Sequence, residues 1–164
     1  MFDIDSNKYQ LDFIRKENEL DFNIKKKART NIKKPTAKKT TEETPIVAMF
    51  HGLCGCSESG YMLRLARKLT DLGWRSARFS HRGAGTLPTL AAKQIYHVGS
   101  RDDVLTALQQ LSAKFPNAPI VAIGYSLSGA ILLNLLGRTE RLEKKVPKLK
   151  LAATVSAPLD LEQS

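Results

Sequence analysis

Gly124-Tyr125-Ser126-Leu127-Ser128 sets a serine between two apolar stretches of different character. Upstream, residues 120–123 form a short continuous apolar run, as in a strand buried on both faces. Downstream, Leu127, Ala130, Ile131, Leu133, Leu135 and Leu136 recur as they would along a buried helix. A serine at such a junction sits on a tight turn, with its hydroxyl clear of the sheet and at the positive end of a helix. The chemistry that suits this layout is nucleophilic attack on an acyl carbonyl through a covalent intermediate. The positions two before and two after the serine must be small, because strand and helix pack closely there. Gly124 and Ser128 meet that demand, whereas Ser128 as the nucleophile would have the poorer flanks Ser126 and Ala130. The plain alternative is an ordinary strand-to-helix turn that happens to hold serine.

Acyl transfer needs two N–H donors aimed at the oxygen that becomes negative. His51-Gly52-Leu53, directly after another apolar run, supplies one, and the natural pair is the backbone N–H of Leu53 with that of Leu127. His51 itself is expected to make structural hydrogen bonds in its turn. A serine nucleophile also needs a base. His51, His81 and His97 all precede Ser126 and none follows it, so the sequence presents a nucleophile without the residues that would activate it.

The elements that must position these groups follow from the patterning. Residues 9–14 and 19–24 alternate apolar and polar, which predicts a β-hairpin over 1–24. Residues 25–44 are a basic, polar linker containing Pro35. A core over 45–164 then alternates strand and helix. Strands are expected at 46–50, 74–79, 120–123 and 149–156, with the first two as parallel neighbours of the third. Helices are expected at 61–72, stopped by Gly73, from Asp102 to the break at Pro116, and after Ser126. Units of that length argue for a mostly parallel sheet with helices on both faces.

Composition narrows the partners. Of the net charge of +10, residues 1–44 carry +3 and the rest +7. The run from Lys25 to Lys39 has no acid and no aromatic residue to stack on bases, so it reads as a solvated linker with no nucleic-acid partner. No run approaches a membrane span, and the acidic start Met1-Phe2-Asp3 does not resemble a signal peptide, which points to the cytoplasm without stable membrane insertion. Cys54 and Cys56 are too close together to complete a zinc site and read as free thiols; no metal and no cofactor is expected.

Taken together, the chain resembles the α/β-hydrolase superfamily, and within it the AB-hydrolase-four family of bacterial YheT-like esterases and their animal relatives. The matching residues are His51-Gly52-Leu53-Cys54-Gly55, Arg82-Gly83, Ile95-Tyr96-His97 with Gly99 and Asp103, Gly124-Tyr125-Ser126-Leu127, and Val155-Ser156-Ala157-Pro158. The tyrosine–histidine element is the most family-specific. Ser128 stands where relatives carry glycine. The resemblance implies eight strands, with an acid after the seventh and a histidine after the eighth, so this sequence is expected to be a hydrolase cut after its sixth strand. It implies a serine carboxylic-ester hydrolase acting on small acyl esters through Ser126, incomplete for want of its acid and histidine. The alternative is a non-catalytic remnant or interaction protein on the same scaffold. An uncovered edge on the sixth strand, 149–156, is expected to favour self-association.

Overall fold

A computed structural model describes residues 40–84 and 95–159. The expected hairpin over 1–24 and most of the expected linker lie outside them. The linker's last residues form a turn in which the Thr44 N–H donates to the Thr41 carbonyl at 3.2 Å.

Among the described residues, four strands and four helices follow in the order β1 (Ile46–Phe50), α1 (Gly60–Asp71), β2 (Arg75–Phe79), α2 (Arg101–Lys114), β3 (Ile120–Tyr125), α3 (Leu127–Arg138), α4 (Leu142–Lys145) and β4 (Leu149–Val155). The strands form one parallel sheet in the order β2-β1-β3-β4. β1 is therefore the direct neighbour of β3, as expected, but β2 is not. Among the described residues β2 pairs with β1 alone, and β4 takes the other side of β3. Such crossovers need helices between consecutive strands, and the chain supplies at least one each time.

All five residues of β1 are buried, and they alternate between two cores. Ile46, Ala48 and Phe50 pack with Val104, Leu108 and Leu111 of α2 and with Ile131, Leu132 and Leu135 of α3. Val47 and Met49 face the opposite way and pack with Met62 and Leu69 of α1. This is the physical reason that the strand reads as a continuous apolar run: a sheet covered by helices on both faces has no solvent side. α2 begins with Asp102 and Asp103 in its first turn, where carboxylates favour the helix dipole, and it ends just before Phe115-Pro116.

The single turn α4 was not foreseen. It lies within the basic stretch after α3 and follows Arg141, whose φ is 52°. Val146, immediately after it, is fully buried and ties the segment to the core. β4 is the least covered strand, with Leu151 and Val155 exposed.

Candidate functional site

β3 and α3 meet at Ser126 with no intervening loop. Ser126 has φ 50° and ψ −119°, a conformation costly for a residue with a side chain, on the order of 1–3 kcal/mol. Packing holds it there. Its N–H donates to the Val155 carbonyl at 2.8 Å, and its own carbonyl accepts from the N–H of Gly129 at 2.8 Å. Gly124 explains why the junction tolerates so little bulk. A Cβ at that position would stand 2.5 Å from the Ser128 carbonyl oxygen, with backbone rather than a flexible side chain in the way. Gly129, whose Cβ would fall 2.6 Å from Ala157 Cβ, sets the approach of α3 to the end of β4. The result is an exposed Ser126 at the N-terminus of a twelve-residue helix. There the Leu127 N–H is one of the amides that a helix leaves without an internal partner.

The loop after β1 lies against this serine. A Cβ on Gly52 would be 3.2 Å from Ser126 Cβ and 3.9 Å from Ser126 Oγ, so glycine at this position leaves room beside the serine side chain. Leu53 follows, with its side chain exposed. Ser126, Leu127 and the Gly52-Leu53 segment are thus adjacent in space, although 73 residues separate Leu53 from Ser126 in the chain.

Ser128 is placed quite differently. It is fully buried, and its hydroxyl donates to the His51 carbonyl. Its oxygen lies 2.6 Å from His81 Nε2. The His81 backbone N–H in turn donates to His51 Nε2 at 3.1 Å, and His51 Nδ1 lies 2.7 Å from the Gly52 carbonyl. Counting protons fixes every role. His51 Nε2 accepts, so its proton is on Nδ1 and goes to Gly52. The Ser128 hydroxyl proton goes to a carbonyl, so His81 must be the donor across the 2.6 Å bond. Both imidazoles are neutral. Burial pushes the His81 pKa down to about 3, with the neighbouring His51 adding to the effect, and burial also lowers His51 against the smaller opposing effect of its bond to Gly52.

His97 is exposed, and its Nδ1 accepts from the Gly99 N–H at 3.0 Å. Among the described residues, none of the three histidines makes a hydrogen bond to Ser126. Arg82 and Asp103, two of the resemblance positions, form a two-pronged ion pair, with Arg82 Nε 2.6 Å from Asp103 Oδ2. That pair ties the segment after β2 to the first turn of α2. No group of three metal-binding side chains occurs among the described residues. No helix there is long and apolar enough to cross a membrane.

Sequence reasoning missed two contributors. Tyr61, at the start of α1, and Tyr96 both send their hydroxyls to the loop after β1. In the sequence, the resemblance alone marks Tyr96. Its reach to Cys54, 42 residues away, leaves no periodic trace that could have announced it.

Comparisons with known proteins agree with this geometry. A family model described as the alpha/beta hydrolase fold matches residues 45–164. A phospholipase named ABHD3 from Bos taurus is 34% identical over 112 residues, covering 68% of this chain and 26% of the relative. The Escherichia coli (strain K12) protein named "Putative esterase YheT" is 34% identical over 121 residues, covering 74% of this chain and 34% of the relative. The chain thus spans about a quarter to a third of the length of these curated relatives. Among solved structures, an alpha-beta serine hydrolase homologue from Coxiella burnetii superposes with a TM-score of 0.59 at 20% identity, over 77% of this chain and 57% of that one.

Proposed function

This chain belongs to the α/β-hydrolase fold family, and from that premise we propose that it is the nucleophile-bearing part of a serine carboxylic-ester hydrolase, with Ser126 as the nucleophile. The observation that carries the reading is the exposed Ser126 on a strained turn at the head of α3, with Gly52 against its side chain. In the reaction, Ser126 Oγ attacks the ester carbonyl carbon and the carbonyl electron pair moves onto oxygen. The N–H groups of Leu53 and Leu127 receive that oxyanion. Collapse of the tetrahedral species expels the alcohol and leaves an acyl group on Ser126, which water then removes. The substrate class is a small acyl ester, the bond that a phospholipase and an esterase would share. No cofactor is needed for these steps.

The proton of Ser126 must go to a base, and neither neutral buried imidazole nor His97 is on it. We therefore assign the base to a group other than these three histidines. The same fact favours one second reading, a non-catalytic interaction protein on the hydrolase scaffold. The free thiols of Cys54 and Cys56 fit a reducing compartment such as the cytoplasm.

Chemical supply of the base separates the two readings. Incubation with p-nitrophenyl acetate in imidazole buffer, followed by peptide mass analysis, should place an acetyl group on Ser126. A chain acetylated only on lysines, at a rate untouched by Ser126→Ala, supports the interaction-protein reading instead.

A further inference from the structure

Four consecutive amides, from Gly52 to Gly55, follow β1, and three have partners. The Gly52 N–H donates to the Tyr61 hydroxyl at 3.0 Å, the Cys54 N–H to the Tyr96 hydroxyl at 3.0 Å, and the Gly55 N–H to the Gly52 carbonyl at 3.1 Å. Among the described residues, the Leu53 N–H has none. It shares a peptide unit with the Gly52 carbonyl, and that carbonyl is held by three donors: Gly55 N–H, His51 Nδ1–H at 2.7 Å and the Tyr96 hydroxyl at 3.3 Å. A trans peptide is planar, and its C=O and N–H point in opposite directions. The backbone of the described residues contains no cis bond. Fixing the carbonyl on one side therefore fixes where the Leu53 N–H points on the other.

Tyr96 is the member of this set that grips both flanks of Leu53. Its hydroxyl accepts from Cys54 and donates to Gly52. Its ring is buried, stacked on His81 at 4.6 Å and edge-on to His51 at 5.6 Å, so the hydroxyl has little freedom to wander. Burial raises its pKa, which keeps the phenol proton available for donation.

We propose that Tyr96 is a positioning residue for acyl transfer, aiming the Leu53 N–H at the oxyanion through the Gly52–Leu53 peptide, with Tyr61 as a weaker second support. The assignment rests on the reading of Ser126 as an acyl nucleophile. Neither tyrosine touches the reacting atoms; each acts through backbone.

Tyr96→Phe removes the hydroxyl and keeps the ring. In the imidazole-assisted acetylation of Ser126, its limiting rate should fall about tenfold, less than the full loss of an oxyanion donor. The half-saturating ester concentration should stay within about twofold and melting should stay cooperative, because an oxyanion donor acts on the transition state more than on the bound ester. Tyr61→Phe should lower the limiting rate less, again without moving half-saturation. A folded Tyr96→Phe chain with an unchanged limiting rate overturns the assignment and leaves acyl transfer at Ser126 standing. A wild-type chain that takes no acetyl group at Ser126 overturns the underlying reading and the assignment with it. If Tyr96→Phe no longer melts cooperatively, Tyr61→Phe decides: a lowered limiting rate supports loop positioning, and an unchanged one overturns it.

Discussion

His81 Nε2 lies 2.6 Å from Ser128 Oγ, and in that bond the histidine is the donor. The distance alone would pass for a base poised to deprotonate a serine. The rest of the network reverses it, because the hydroxyl proton of Ser128 is already committed to the His51 carbonyl. With a pKa near 3, His81 is a neutral structural donor, and it joins three segments: the end of β1, the residues after β2 and the first turn of α3. Ser128 is therefore not merely small enough for its position. Its hydroxyl closes a buried hydrogen-bond chain.

Ser128→Ala should accordingly act on stability and not on chemistry. It leaves the His81 N–H and one lone pair of the His51 carbonyl without their partner in the core, at a cost of about 1–3 kcal/mol. Urea unfolding should show that loss, while Ser126 acetylation changes only a few-fold. Loss of acetylation in a folded Ser128→Ala chain would instead make Ser128 a participant.

The buried histidines also set a pH dependence. Unfolded, each imidazole titrates near 6.5; folded, His81 titrates near 3 and His51 below its ordinary value. Between those values the unfolded chain binds more protons than the folded one, so stability is fully present above pH 6.5 and falls with acidification toward pH 3. His81 alone contributes on the order of 5 kcal/mol across that window. Melting temperature measured from pH 7.5 to 5, before most carboxylates titrate, should hold at first and then drop increasingly as the pH passes below about 6.5. A flat profile would mean that the pair is protonated without penalty.

β4 carries exposed Leu151 and Val155, at 60% and 44%, and it is an edge of the sheet among the described residues. Unpaired strand edges and bare apolar surface recruit other chains. Light scattering after size-exclusion chromatography should give a mass above that of the monomer, and Leu151→Glu with Val155→Glu should lower it. A wild-type chain that remains a cooperatively melting monomer would contradict this expectation.

Much of the core was legible because burial on both faces leaves an unmistakable mark. The apolar runs at 46–50 and 120–123 could hardly be anything but central strands, and Gly124 and Ser126 marked the junction between strand and helix. The order of β2 relative to β3 was not legible, because two parallel strands with similar patterns do not encode which of them lies between. Nor was the grip of Tyr61 and Tyr96 on the loop after β1. A hydroxyl meeting a backbone group across the fold depends on three-dimensional approach, which no local period records. Ser128 lies between these cases: its small size was readable, but its hydrogen-bond chain to His81 and His51 was not.

The central claim is that Ser126 is an acyl nucleophile whose base is none of His51, His81 and His97. Release of p-nitrophenolate from p-nitrophenyl acetate, followed as imidazole is raised from zero, tests it most directly. Turnover should stay near background without imidazole, rise with imidazole by more than the reaction of imidazole alone, and lose that rise in Ser126→Ala. Substantial imidazole-independent turnover abolished by Ser126→Ala would contradict it, because His51, His81 or His97 would then have to serve as the base. An imidazole-dependent rise that survives Ser126→Ala would contradict the assignment of the nucleophile itself.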